Sequence, residues 1–206
     1  MIWQERSTQE RILTSAKEEF LKQGFQHTSL RSIVEGAGVT TGAMYGYYRS
    51  KEALFNALVE ETYQYLIAQF QEALTAFDSL PLEEQPKRLG TYSRACMQGL
   101  LDYVYGHRDE VRLLLLCAEG TQYAHLKEEL VALEISATHK YYATLNRLKK
   151  PSPNIDKRLE HILVTGLINA YFEIVLHDMP MDDAKHYVSE LLDFYNTGWA
   201  KIISIK

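Results

Sequence analysis

The 206-residue sequence predicts an all-α fold of about nine helices, and three observations carry that reading. Apolar residues recur at helical spacing along nearly the whole chain. No segment alternates convincingly at period two, and hairpin dipeptides are absent. The five prolines, none before Pro81, punctuate long helical stretches instead of interrupting them. A chain of this length, 46% apolar and 24% charged, buries a real core and is not disordered. Eleven glycines and five prolines are too few for collagen-like or low-complexity classes. Cys96 and Cys117 are the only cysteines, so a disulfide framework and a four-thiolate metal site are excluded and a reducing cytosol fits. The opening MIWQERSTQERIL is charged by its fifth residue and lacks an apolar leader core. No uninterrupted apolar run approaches the roughly 18 residues of a membrane span, so a cytoplasmic protein without a membrane partner is expected.

The elements follow in order. Ile12, Leu13, Ala16, Phe20 and Leu21 place one face of a helix over 8–23, and Gly24 ends it, with Phe25 folding back onto its last turn. Thr28 or Ser29 caps a short helix over 29–37. Gly38 makes a tight turn, and a third helix spans 40–47. Ser50, with Glu52 in the first turn, opens a helix over 50–78. Helices over 83–105, 107–117, 121–150, 155–178 and 181–204 complete the chain, with Pro151 and Pro153 closing the one that runs through Lys150.

The second and third short helices, joined by Ala37-Gly38-Val39-Thr40, form a helix-turn-helix candidate. Ile33, Val34, Ala37, Val39 and Met44 can pack it. Thr40, Thr41, Gly42 and Tyr45 are left outside at the start of the third helix, the end that reads base edges when a helix enters a major groove. Tyr45, Tyr47 and Lys51 can reach phosphates. Charge divides accordingly. Residues 1–52 carry seven basic and six acidic side chains, net +1, whereas the remaining 154 residues carry 15 and 21, net −6. An acidic total therefore does not exclude DNA as a partner.

The stretch ERILTSAKEEFLKQGFQHTSLRSIVEGAGVTTGAMYGYYRSKEALF resembles the N-terminal DNA-binding domain of the TetR family of transcriptional regulators, over about residues 6–56. The shared spacing includes Ile12-Leu13, Ala16, Phe20, Gly24, Thr28-Ser29, Ile33, Ala37-Gly38-Val39, Gly42, Tyr45, Tyr47 and Ser50-Lys51-Glu52. The resemblance implies a helix-turn-helix domain over 1–52 and a helical effector-binding and dimerisation domain over 53–206. It implies that Ser29 and Arg31 touch phosphate or a flanking base, that Thr40, Thr41, Gly42 and Ala43 face the groove, and that Tyr45, Tyr47 and Lys51 hold the DNA backbone. Core packing is the competing role for the tyrosines, Tyr48 above all, and Thr40 can also be an N-cap. Four positions depart from the family pattern: Val34, Gly36, Gly46 and Tyr48. Gly36 stands where a helix former is expected, at a cost of about 1 kcal/mol.

By the same resemblance, the remainder binds a small effector and dimerises through its last two long helices. Eleven of the 14 tyrosines lie beyond residue 60, and a side chain with an apolar face and a polar tip suits a cavity for an amphipathic ligand. The effector candidates are Tyr92, Cys96, Tyr103, Cys117, Tyr123, Tyr141, Asn169 and Glu173. The two cysteines fit inert small core residues, with redox sensing as the lesser alternative, and most of the tyrosines fit ordinary packing. Ile162–Leu176 is apolar on nearly all sides, as for a helix with core on one face and a partner subunit on the other. A homodimer through 155–178 and 181–204 follows. No Glu-x-x-His pair, nucleophile elbow, P-loop or zincin motif occurs, so no catalytic residue, metal or cofactor is expected. The expected function is a repressor released from operator DNA by a small molecule. The alternative is a DNA-binding adaptor whose C-terminal part binds a protein.

Overall fold

A computed structural model describes residues 7–151 and 155–204. Pro153 and the N-terminal stretch through Arg6, on which the leader argument rests, lie outside the described residues. Among the described residues there is no strand, and the helices are α1 (Thr8–His27), α2 (Leu30–Ala37), α3 (Thr41–Tyr47), α4 (Lys51–Asp78), α5 (Gln85–Gly106), α6 (Arg108–Arg112), α7 (Leu126–Arg147), α8 (Lys157–Leu176) and α9 (Met181–Ser204). The stretch expected as one helix over 107–117 divides, because Leu113–Cys117 continues α6 as a π-helical turn. The helix expected from 121 begins at Leu126. Gly120, at φ 85°, and a turn in which Thr121 bonds the Ala118 carbonyl through N–H (3.0 Å) and hydroxyl (2.7 Å) hold the chain out of helix before it.

The chain forms two compact units. The first contains the chain through Gln64 together with His107–Leu126, and the second contains Tyr65–Gly106 with the chain from Lys127 onward. The first is larger than the 1–52 segment for a packing reason. Leu54, Phe55 and Val59 at the start of α4 are fully buried in its core. Residues of α6 and the π turn fold onto α1, where Lys17 pairs with Asp109 at 2.9 Å and Glu110 at 3.6 Å.

Within this unit α1 begins with a reciprocal capping box between Ser7 and Glu10. Gly24, at φ 78°, interrupts it, and Phe25 packs against Phe20 and Phe55 with ring centroids 5.9 and 5.4 Å apart. Ser29, not Thr28, caps α2. Thr28 turns back to close α1, its hydroxyl donating to the Gly24 and Glu19 carbonyls. Ser50 caps α4 through the Ala53 N–H.

In the second unit α5, α7, α8, α9 and the later part of α4 surround a core of Leu66, Leu101, Leu145, Ile168, Val175 and Val188. Tyr171 donates from α8 to the Met97 carbonyl of α5 at 2.9 Å, and Arg94 of α5 holds Ser189 and Asp193 of α9. By length and composition α8 could cross a membrane. Its apolar residues instead have local work, since Val164, Leu167, Ile168, Tyr171, Phe172, Ile174 and Val175 are buried in this unit.

Candidate functional site

The helix-turn-helix is built by backbone geometry and one arginine. Gly38, in the left-handed region at φ 61°, ends α2, and the Val39 N–H returns to the Val34 carbonyl at 3.1 Å. The two carbonyls left at the turn, those of Ala37 and Gly38, accept bonds from the Arg11 guanidinium at 2.5 and 2.7 Å. Arg11 is a functional residue that the sequence reading passed over. Its signal was a basic side chain on α1 one turn before Ser15, which faces α2. Ser15 donates to the Ile33 carbonyl at 2.8 Å, and a Cβ on Gly36 would collide with the Ser15 hydroxyl. Gly36 is thus a close-approach position between α1 and α2, which is why the helix former is absent.

Thr40 caps α3, accepting from the Ala43 N–H at 3.1 Å, and Thr41 and Gly42 are exposed beside it while Ala43 is half-buried. Tyr45 and Tyr47 are 49% and 51% exposed, so neither is a core residue. Tyr48 is buried, with its hydroxyl accepting from Gln9. Ser29 is taken up in capping α2, and Arg31 is exposed, bonded to Glu35 at 2.8 Å. Lys51 has a different occupation. Its ammonium donates to the Phe25, Gln26 and Thr28 carbonyls at 2.7, 3.2 and 2.9 Å and lies 4.4 Å from the centre of the Phe25 ring. All three ammonium protons serve the end of α1. A Cβ on Gly46 would meet nothing within 4 Å. Gly46→Ala is therefore expected to stabilise the protein by about 0.5–1 kcal/mol, read from urea unfolding, because α3 gains helix propensity without a clash.

The second unit contains an aromatic cavity of about 110 Å³ between α4, α5, α7, α8 and α9. Of the expected effector residues, Tyr92, Cys96 and Tyr141 line it. Phe77 joins two of them, with ring centroids 5.8 Å from Tyr92 and 5.9 Å from Tyr141. The others lie elsewhere. Tyr103 stacks on Tyr65 at 3.6 Å, away from the lining. Cys117 and Tyr123 belong to the first unit, where Tyr123 packs against Phe55 and Tyr63. Asn169 is not among the lining residues, and Glu173 is bonded to His177 at 2.9 Å. Glu134, Tyr142, Tyr195, Asn196 and Trp199, outside the expected effector set, also stand in the wall. A signal existed for the first two. Glu134, Ala137, Thr138, Tyr141 and Tyr142 form one stripe of α7, and a carboxylate in an otherwise weakly polar stripe marks a polar point in a buried surface.

Burial pushes the Glu134 carboxyl up to about 7. The same burial, reinforced by Glu134, pushes the Cys96 thiol up to about 12, so it stays protonated and unreactive at neutral pH. Burial likewise raises Cys117. A stability consequence follows for Glu134. An unfolded Glu ionises near pH 4.5, the folded one near 7, so between these values the folded state binds the extra proton. Stability contributed by that proton is fully present below about pH 4.5 and is lost as pH rises toward 7. Glu134→Gln is expected to remove this slope, so that urea midpoints of variant and parent diverge with rising pH in the variant's favour.

Among the described residues no group of three or more His, Cys, Asp and Glu side chains is placed to hold a metal. The comparisons bear on the first unit. Residues 12–58 match the family profile described as "Bacterial regulatory proteins, tetR family". The chain is similar to the HTH-type transcriptional regulator UidR of Escherichia coli K12, 33% identical over 67 residues, 32% of this chain and 34% of that protein. It is also similar to TtgR of Pseudomonas putida, 37% identical over 57 residues, 28% of this chain and 27% of that one. These matches span about a third of the curated relatives' length. Two solved structures share the fold over most of the chain. One is a TetR-family transcriptional regulator from Bordetella parapertussis, with TM-score 0.61, 16% identity, and 98% and 100% of the two chains covered. The other is NalD, a secondary repressor of the MexAB-OprM efflux pump in Pseudomonas aeruginosa, with TM-score 0.56, 24% identity, and 90% and 94% covered. Residues 12–58, which hold most of α1, the α2–α3 turn and the start of α4, are thus a segment of the tetR-family type.

Proposed function

We propose that this protein is a cytoplasmic, homodimeric DNA-binding transcriptional regulator, a repressor that leaves its operator when a small molecule enters the aromatic cavity. The observation that carries the DNA-binding reading is the α2–α3 turn. Arg11 fixes it from behind, and the N-terminal residues of α3 are presented outward. Ser29, Arg31, Thr40, Thr41, Gly42, Ala43, Tyr45 and Tyr47 are the proposed contacts, with Lys51 acting from within by fixing the end of α1 beneath them. The dimer is supported by apolar side chains left exposed on the last two long helices, where Leu159, Ile162 and Phe194 are 46%, 63% and 74% exposed. Two copies then offer their recognition helices to successive major grooves about 34 Å apart. The effector acts by binding better to a form whose helix spacing misfits those grooves. A concave aromatic cavity walled by five helices supports a small ligand over a protein partner, and no catalytic activity is proposed.

Gel shift on DNA upstream of the gene and its neighbours tests this. A specific complex is expected, weakening with salt. Gly42→Asp is expected to cost at least tenfold in affinity with unchanged unfolding, because a Cβ there meets only the Thr40 hydroxyl at 4.0 Å while the new carboxylate faces phosphate-rich DNA. No salt-sensitive specific complex on any such fragment would defeat the reading.

A further inference from the structure

We propose that the cavity of the second unit selects an amphipathic cation, a small aromatic or alkyl ammonium, whose charge rests against the Glu134 carboxylate and whose apolar body lies on the surrounding rings. The inference deepens the effector-binding reading above and depends on it. Among the described residues no lysine, arginine or histidine lines the cavity, whereas Glu134 does. Glu134 forms no ion pair and no hydrogen bond among the described residues, and Cys96 beside it is a neutral thiol. Phe77, Tyr141, Tyr142 and Trp199 supply faces whose ring quadrupoles attract a cation. A second negative group stands behind the wall. Glu160 is 2% exposed, and one of its oxygens and the Tyr142 hydroxyl lack a well-formed hydrogen bond, while its charge acts on Tyr142. His139, at 2.8 Å from its other oxygen, is on the exposed side.

The chemistry discriminates between ligand classes. An anion meets a carboxylate without a counter-charge and is repelled. A neutral ligand fills the space but leaves the carboxylate unpaired in an apolar surround, or takes it protonated. Only a cation restores to Glu134 the charge compensation that burial removed. Burial already holds Glu134 near its midpoint at neutral pH, so a permanent cation also displaces the proton and binds more tightly as pH rises from 6 to 8.

Isothermal titration of the full-length protein with benzyltrimethylammonium, its uncharged isostere neopentylbenzene and the anion phenylacetate tests the proposal. The cation is expected to bind at least tenfold more tightly than either of the others. Glu134→Gln should cost at least tenfold for the cation and leave the isostere unchanged, which also shows that the variant cavity is intact. Glu134→Asp, keeping the charge on a shorter stem, should fall between. Equal affinity of cation and isostere, indifference of the cation to Glu134→Gln, or failure of the cation to bind would overturn the inference. The same ligands added to the operator complex separate the two readings. If the isostere binds and releases DNA as well as the cation does, the effector cavity stands and the charge selectivity falls. If the cation binds through Glu134 yet leaves the DNA complex unchanged, the selectivity stands and the release mechanism falls.

Discussion

Lys51→Met is expected to destabilise the protein by about 2–4 kcal/mol while leaving the salt dependence of DNA binding unchanged. The family resemblance assigns this lysine to the DNA backbone. In the structure its ammonium satisfies the Phe25, Gln26 and Thr28 carbonyls and sits against the Phe25 ring. These carbonyls are left over where Gly24 breaks α1, since a helix end has acceptors with no partner further along the chain. Hydrogen bonds to a charged donor contribute about 1.5–3 kcal/mol each, and they do not add fully on a half-buried side chain. Methionine keeps the stem's packing and removes only the donor. Urea unfolding measures the loss. The slope of log K against log salt decides the role, because a lost phosphate contact lowers it by about 0.9 per contact. A lowered slope with normal stability would show that the ammonium leaves its carbonyls for DNA.

Gly36→Ala should destabilise by about 1–3 kcal/mol, the opposite of what helix propensity alone gives. On an open helix surface the change would gain up to about 1 kcal/mol. Here the added methyl enters the space of the Ser15 hydroxyl, whose side chain is buried and bonded to the Ile33 carbonyl. Either the hydroxyl rotates away and loses that bond, or α2 moves off α1, and overpacked sites of this kind cost about that much. Ser15→Ala relieves the collision. The double variant should therefore be less damaged than the sum of the singles by at least about 1 kcal/mol, a coupling that the unfolding free energies of the four proteins measure. Additivity would mean that α2 tolerates the methyl without Ser15. The contrast with Gly46, where the same substitution meets open space, makes the two glycines a matched pair.

The proposed DNA-reading site was more legible than the cavity because local rules build it. Ser29, Gly38 and Thr40 act on residues within a few positions of themselves, through caps and a left-handed turn, and such chemistry is visible in a short window. The cavity has no local signature. It exists because five helices distant in sequence leave space between them, and a tyrosine count cannot say which rings face that space. Tyr92 and Tyr141 do, whereas Tyr123 fills the core of the other unit and Tyr103 stacks on Tyr65. The residue that gives the cavity its chemistry, Glu134, is unremarkable by type and became informative only once its surroundings were known.

By itself, the sequence determined the all-α class, the order of the helices, the caps at Thr40 and Ser50 and the helix-turn-helix spacing, since each follows from periodicity or from a side chain acting on neighbouring backbone. Tertiary structure alone decided that His107–Leu126 packs onto α1, that Lys51 bonds the end of α1, that Gly36 has no room for a methyl, and that Glu134 lines a cavity with no basic side chain among the described residues. Each of these depends on contacts between residues far apart in the chain. Such contacts are set by the shapes of packed surfaces, and a linear pattern of residue types does not encode them one position at a time.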